Sequence, residues 1–292
     1  MSSRYQQLDL SACFAARPQM PEQILPGLIR GTVGAIFGAG AVGKTTLALE
    51  LGCYRAGGPD WLGLGPCRPG RVIIFAAEDP AAVLRGRLYD MGQRMSADER
   101  ELVTEHLHVV PIISGMPRDF LDNGKTTDAM RRAADGFDLA MIDTISRFHG
   151  GEENERRDAA LVMRQMERIA ETGPSVVFLG HINKAAALNG QSDQQQAARG
   201  SSVWVDESRW VAFMAACTPA EAKNFGIPQE SMKNFVRFGL SKANYCAPQL
   251  DIWLRRDAGG VLLKEQLRKV KQQMKRQPTG RITDMGGDDD NF

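Results

Sequence analysis

At 292 residues, 43% hydrophobic and 24% charged, the chain can bury a real core as one large domain or two small ones, and disorder is expected only near its ends. A formal net charge of +1 leaves no global field to pull the molecule onto nucleic acid or an anionic membrane, so any DNA contact has to come from a local patch. No run approaches the roughly 18 apolar residues of a membrane span, and the opening residues lack the basic-then-apolar order of a signal peptide, which points to a cytosolic protein with no membrane partner.

The five cysteines, Cys13, Cys53, Cys67, Cys217 and Cys246, are scattered without C-x-x-C spacing, so neither a thiol-exchange pair nor a zinc grip is indicated. His106 and His108 flank one residue of an expected strand and read as strand residues rather than ligands.

In chain order, residues 32–37 (TVGAIF) form an apolar run entering a glycine-rich turn, and residues 44–55 follow as a helix with Leu47, Ala48, Leu51 and Tyr54 on one face. Gly57 and Gly58 end it. Residues 72–75 (VIIF) are continuously apolar, as a strand covered on both faces would be, and Pro80 opens a helix reaching about residue 94. Further strands are predicted at 107–110, 139–142 and 176–179, with helical patterns near 127–135 and 158–172 between them. This βαβ series implies an α/β fold with a mainly parallel, twisted sheet flanked by helices. After Arg209 the runs at 210–215, 235–241 and 250–254, with a hairpin turn at Asp257–Gly260, predict antiparallel strands added at one edge near the C-terminus. The chain therefore divides into residues 1–25, a core over 26–263, and a basic then acidic flexible tail over 264–292.

Gly38, Ala39, Gly40, Ala41, Val42, Gly43, Lys44 and Thr45 match the pattern G-x-x-x-x-G-K-S/T between a strand and a helix, with Thr46 following. Gly38 and Gly43 are expected to let the backbone turn successive N–H groups inward, where the helix N-terminus also favours phosphate. Lys44 would reach the β- and γ-phosphates of ATP, and Thr45 would place its hydroxyl on Mg²⁺. A P-loop also needs a carboxylate for the magnesium shell, expected at the end of a strand adjoining the P-loop strand, and Asp143 directly after LAMI fits. A buried strand emptying into an acid is costly unless a cation waits there; the competing reading is a turn-starting aspartate.

Glu78, at the tip of VIIFAA, could orient and deprotonate the attacking water, with Asp79 as competitor; a capping Asp79 beside a catalytic Glu78 satisfies both demands. His181 closes SVVFLG, where a polar side chain can sense the γ-phosphate or simply be a loop residue.

GAGAVGKT, FAAEDP, MIDTISRFH, FLGHINK, ARGSSVWVDESRW and FGLSKANY, in that order, together resemble the hexameric RepA-type replicative DNA helicases of broad-host-range plasmids, DnaB-like members of the RecA superfamily of P-loop ATPases. The similarity runs from about residue 25 to residue 262. It implies a RecA-like core, a homo-hexameric ring hydrolysing ATP at subunit interfaces, and movement along single-stranded DNA in the 5′ to 3′ sense. Carried over by position, Lys44 and Thr45 hold phosphate and Mg²⁺, Glu78 is the base, Asp143 the metal-side acid and His181 the γ-phosphate sensor. Arg209 in DESRW matches the arginine finger that reaches a neighbour's site, against the plainer reading of a solvated strand-end charge, and Lys242, at the end of FVRFGLS, could be a second cation acting in trans. The sensor strand departs from the family in ending Gly180-His181, where a paired histidine would stand. Residues 1–25 are implied to pack on the adjoining subunit as an arm, and a replication initiator or primase is a possible partner.

Two segments would face the ring centre: residues 146–158, with Arg147, His149, Arg156 and Arg157, and residues 183–199, where Lys184 and Arg199 could bind DNA phosphates. Neither has an aromatic ladder for stacking on bases. The same catalytic set would serve a RecA- or KaiC-like oligomeric ATPase with a regulatory or recombination role. A nucleotide-switched adaptor is disfavoured, because a pure binder needs neither base nor finger.

Overall fold

A computed structural model of the chain describes residues 7–112, 124–148, 156–181, 202–246 and 251–270. Among the described residues, nine strands form one sheet, in the order β11-β10-β9-β8-β3-β7-β6-β4-β5, and a two-stranded ribbon of β1 (Gln23–Leu25) and β2 (Leu28–Ile29) precedes it. The parallel part consists of β3 (Val33–Gly38), β4 (Val72–Ala76), β5 (Leu107–Pro111), β6 (Leu139–Asp143), β7 (Ser175–His181) and β8 (Trp210–Ala216). The antiparallel edge is β9 (Phe235–Ala243), β10 (Ile252–Arg256) and β11 (Leu262–Glu265).

The strands are buried on both faces because their side chains alternate between two cores. Ile36, Val72, Ile74, Leu139, Met141, Val177 and Leu179 pack toward α2 (Lys44–Arg55) and α3 (Ala81–Gly92), where they meet Leu47, Leu51, Leu84 and Met91. Ala35, Phe37, Ile73, Phe75, Ala140, Ile142 and Phe178 face α5 (Lys125–Ala133) and α6 (Arg156–Ala170), with Met130, Val162, Met163, Met166 and Ile169. Each fully buried leucine or isoleucine here contributes about 2 kcal/mol of transfer free energy, so the two cores hold the strand tips as one rigid rim.

Three expectations change. The strand at 210–216 does not belong to the antiparallel edge: β8 runs parallel to β3, with Gly34 opposite Trp210 and Gly38 opposite Met214. Its apolar run is indistinguishable from that of an antiparallel central strand; helix α7 (Ser202–Glu207), which buries Val203, Trp204 and Val205, leads into it. The second change concerns α2, which is buried nearly all round rather than on one face, because α3 and the β10–β11 hairpin cover its other side. The third is strand order: β7, not β6, adjoins β3 on that side.

Other local choices follow from the sequence. Gly57, with φ 103°, breaks α2, and Gly58 N–H donates to the carbonyl of Cys53 at 2.8 Å. The turn at Asp257–Gly260 joins β10 to β11, with Gly259 at φ 70° and Asp257 N–H on the carbonyl of Val261 at 2.8 Å. Helix α4 (Ala97–His106), which the apolar periodicity misses, starts on a capping box between Ser96 and Glu99. Helix α8 (Pro219–Phe225) starts on another, between Thr218 and Glu221.

At the end of the sheet remote from the P-loop, Arg55 is 2% exposed and pairs with Glu22 at 2.8 Å and Asp138 at 3.6 Å, while Arg30 binds the same two acids. This network ties β1 (Gln23–Leu25) and β2 (Leu28–Ile29) to the core, and Ile24 and Leu25 are buried beside it. Helix α1 (Leu10–Ala15) buries none of its residues, and Leu10 and Phe14 are exposed.

Candidate active site

Parallel pairing puts the C-terminal ends of β3, β7, β6 and β4 on one rim. Gly38 lies opposite His181, and Ala76 opposite Asp143, so P-loop, histidine and both acids emerge together. Inserting β7 beside β3 moves Asp143 one strand further from the P-loop than expected. The first turn of α2 nonetheless brings the Thr45 hydroxyl near enough to lower the pKa of its carboxylate.

Within the loop, Gly43 caps α2 at φ 106°, a left-handed conformation that favours glycine. The other left-handed residue is Ala41, at φ 59°, so an alanine rather than Gly38 or Gly40 makes the second turn. Gly38 is extended and is required for space: a Cβ there would lie 2.8 Å from Val42 Cγ1 and 3.0 Å from the carbonyl oxygen of Met214. Its role is therefore close packing of β3 against β8, a correction to the expected backbone freedom.

Lys44 is 5% exposed. Its ammonium donates to the carbonyls of Gly38 and Ala39, both at 3.0 Å, and to His181 Nδ1 at 3.3 Å. Burial lowers its pKa, opposed by the charges of Glu78 and Asp143. Because Nδ1 accepts from the ammonium, the ring proton sits on Nε2, which lies 3.8 Å from Glu78 Oε1. Lys44, His181 and Glu78 thus form a row across three strand tips.

Asp143 is 1% exposed, and burial pushes its carboxyl up to about 6; the neighbouring Thr45 hydroxyl opposes this, and the nearby charges of Glu78 and Asp79 add to it. Its Oδ1 is buried without a hydrogen-bond partner among the described residues. An orphaned carboxylate oxygen beside a hydroxyl and a buried ammonium fits a hydrated divalent cation, which would supply the missing partner. Asp79 does not cap α3. Pro80 is the N-cap residue, and Asp79 instead pairs with Arg87 of α3 at 2.7 Å, leaving Glu78 exposed at the tip.

The remaining candidates lie elsewhere. Arg209 is exposed and precedes β8 at the level of Val33, so it sits at the opposite end of β3 from the P-loop, about 16 Å away at ~3.3 Å per residue. Lys242 pairs in register with Val211 at that same end and donates to the carbonyls of Val205 and Asp206 at 2.9 and 2.8 Å. Its pKa is lowered by burial and then by Arg209. Neither cation belongs to its own chain's phosphate site. Arg147 is exposed in the turn after Asp143, and Arg156 is exposed at the start of α6. Lys184 and Arg199 lie outside the described residues.

One contact was not legible. Arg256, at the end of β10, donates from Nη2 to the carbonyls of Ala41, at 3.5 Å, and Val42. No spacing rule links positions this far apart in sequence. The only hint is strand alternation in LRR, which sends Arg256 to the same face as buried Leu254.

A mainly parallel sheet carrying a P-loop, with a buried acid and a polar rim, defines a P-loop ATPase domain of RecA-like architecture. The chain belongs to the AAA domain family, whose model matches residues 2–187 and so spans the P-loop, Glu78, Asp143 and His181 but ends before Arg209. Among curated proteins it is similar to the signal recognition particle receptor FtsY of Thermus aquaticus, at 27% identity over 62% of this chain and 49% of the relative. The chain thus spans about half the length of that relative. Among solved structures it is similar to the ATPase domain of G40P, with TM-score 0.54 and 13% identity over 80% of this chain and 85% of that one. A KaiC-like protein of Pyrococcus horikoshii OT3 gives TM-score 0.54 and 13% identity over 82% and 91%. A DnaB-like replicative helicase, solved with its interactions with primase, gives 0.53 and 13% over 80% and 57%. These likenesses place the fold. No helix among the described residues is long and apolar enough to cross a membrane.

Proposed function

We propose that the chain is the ATPase motor of a ring-shaped, RepA-type DNA helicase serving plasmid or mobile-element replication in the cytoplasm. Six subunits would hydrolyse ATP at their interfaces and move 5′ to 3′ on single-stranded DNA. The observation that carries this is the Lys44–His181–Glu78 row: Lys44 Nζ is 3.3 Å from His181 Nδ1, and His181 Nε2 is 3.8 Å from Glu78 Oε1. The lysine that would bind phosphate is thereby in contact with His181, the side chain that would sense the γ-phosphate.

Each residue has a task in this scheme. The amides of Gly38–Thr46 and the Lys44 ammonium bind the phosphates of ATP, drawing Lys44 away from the carbonyls of Gly38 and Ala39. Thr45 and Asp143 would hold Mg²⁺, which when bound neutralises phosphate charge. Glu78, exposed on the rim, takes the proton of the attacking water, a contribution of roughly 10²–10⁴ in rate. His181 trades its bond to Lys44 for the γ-phosphate and relays occupancy to residues 183–199, while Asp143 does the same for residues 146–158. Arg209 acts across the interface, where a finger adds roughly 10³–10⁵ in rate, with Lys242 as the second cation in trans. Its place at the far end of its own sheet agrees with service in a neighbour's site. Arg147, Arg156, Lys184 and Arg199 would contact DNA phosphates, which carry no sequence information. Residues 1–25 would pack on the adjoining subunit, as the exposed Leu10 and Phe14 suit. An initiator or primase is the expected outside partner, since the DnaB-like structure above is described with primase.

The test combines unwinding of a forked duplex with electron microscopy of the protein bound to an ATP analogue and single-stranded DNA. Closed rings and unwinding from a 5′ tail support the proposal. Open filaments, or ATP turnover indifferent to DNA, would replace it with a RecA- or KaiC-like regulatory or recombination ATPase. Mixing Arg209→Ala with Lys44→Ala subunits tests the finger, because only a trans arrangement can restore an intact site.

A further inference from the structure

The P-loop is held from inside by Lys44, which reaches back to the carbonyls of Gly38 and Ala39. Beyond Gly40, the carbonyls of Ala41 and Val42 point the other way and meet the Arg256 guanidinium. Ala41 is the left-handed alanine of the loop, at φ 59°, and Gly43 follows at φ 106°. A Cβ on Gly43 would lie 3.2 Å from both terminal nitrogens of Arg256, so the arginine fills the space beneath this turn.

The arginine is itself anchored. Leu254, two residues earlier on the same face of β10, is fully buried in the core beside α2. The β10–β11 hairpin is fastened at two further points: Leu262 N–H donates to Glu50 Oε1 on α2 at 2.6 Å, and Arg94, just beyond α3, pairs with Asp257 at 2.9 Å. Glu50 lies near enough that its carboxylate, once ionised, offsets part of the cost of burying the guanidinium.

We infer that Arg256 is a positioning residue for the nucleotide site: by holding the Ala41 and Val42 carbonyls outward, it fixes the loop with its amides turned toward the phosphates. A peptide unit has one orientation for both its groups, so a fixed carbonyl direction fixes the opposite N–H direction. The antiparallel edge, which the phosphate-loop pattern does not include, thereby completes the anion cradle. Both bonds leave Nη2, which the guanidinium carries one bond further from the backbone than a lysine ammonium would be and holds in a fixed plane, so a lysine here would reach these carbonyls less well. The inference rests on residues 38–46 being a nucleotide site, and its test reads binding directly.

Arg256→Met keeps the apolar stem and removes the donors; Arg255→Met is the control, one residue away on the opposite face, where Arg255 pairs with Glu265 at 3.0 Å. Affinity for a non-hydrolysable ATP analogue with Mg²⁺ is measured by calorimetry, alongside thermal unfolding and steady-state kinetics. Arg256→Met is expected to weaken analogue binding about ten-fold and to raise KM for ATP by a similar factor, with kcat changed less than about two-fold, because amide contacts serve ground and transition states alike. Arg256→Lys should recover part of the loss, and Arg255→Met should bind as wild type. Should Arg256→Met not fold, Arg256→Lys alone decides: affinity equal to wild type overturns the assignment. In folded Arg256→Met, unchanged affinity, or a loss shared by Arg255→Met, overturns it too. Absence of analogue binding in the wild-type protein would instead strike the nucleotide reading itself.

Discussion

Lys44 and His181 are joined by a hydrogen bond of 3.3 Å across the tips of neighbouring strands, although 137 residues separate them in sequence. The bond arises from register: Gly38 pairs with His181, and Lys44 reaches back over Gly38 from the first turn of α2. The lysine that phosphate would claim is held meanwhile by a histidine and two carbonyls, so nucleotide binding must exchange one set of partners for another.

Replacing this lysine separates function from stability. Lys44→Met should abolish measurable ATP hydrolysis, yet the protein should melt no lower than wild type, since a buried cation with a depressed pKa is exchanged for an apolar chain of similar length. Calorimetric melting and a phosphate-release assay check both halves. A large fall in melting temperature would show that Lys44 stabilises the fold instead.

Glu78→Gln should leave nucleotide affinity within about three-fold and reduce turnover by roughly 10²–10⁴. Asp79→Asn should do less, because Asp79 is committed to Arg87 at 2.7 Å. Equal losses in the two variants would remove the distinction drawn between them.

Much of this rim was open to reading from the residues. Continuous apolar runs such as VIIF and LAMI mark strands buried on both faces, and an acid, glutamate or histidine at the end of such a run has to sit at a strand tip. The order of the strands was not legible, because pairing is decided by which helices cover which face; β7 therefore came between β3 and β6 unannounced. The direction of β8 was hidden for the same reason. Helix α4 carries its start signal in Ser96 and Glu99, but its apolar residues are too few to show a period, and none of its residues is buried. Arg256 was out of reach, since nothing in residues 252–256 betrays a partner in the P-loop.

Gly38→Ala tests packing at the start of the loop. The added methyl would meet Val42 and the Met214 backbone at 2.8 and 3.0 Å, and the backbone atom cannot swing away. Such overpacking costs about 1–3 kcal/mol, and nucleotide binding should weaken in parallel because the displaced segment is the phosphate loop. Denaturant unfolding and analogue binding read the two effects. Wild-type values in both would show that β3 and β8 part easily.

Glu50 gives a pH signature. It is 1% exposed on α2, and burial pushes its carboxyl from 4.5 up to about 8, opposed by the Leu262 hydrogen bond and by Arg256 and Arg94. Between those two values the folded protein holds a proton that the unfolded chain has released, so stability falls as pH rises from 4.5 toward 8. The contribution has an upper bound of about 5 kcal/mol. Glu50→Gln keeps an acceptor for Leu262 and removes the titration. It should flatten this part of the stability profile and be the more stable protein at pH 8. A wild-type slope in the variant would assign the pH dependence to other groups.

The most direct measurement is Mg²⁺-dependent ATP hydrolysis by the wild-type protein and Glu78→Gln, each with and without single-stranded DNA. Hydrolysis that DNA accelerates in the wild type and that Glu78→Gln loses while still binding ATP is the expected result. A wild-type protein that fails to bind ATP with Mg²⁺, or a Glu78→Gln variant that turns it over at the wild-type rate, would contradict convergence of these strand tips on a nucleotide.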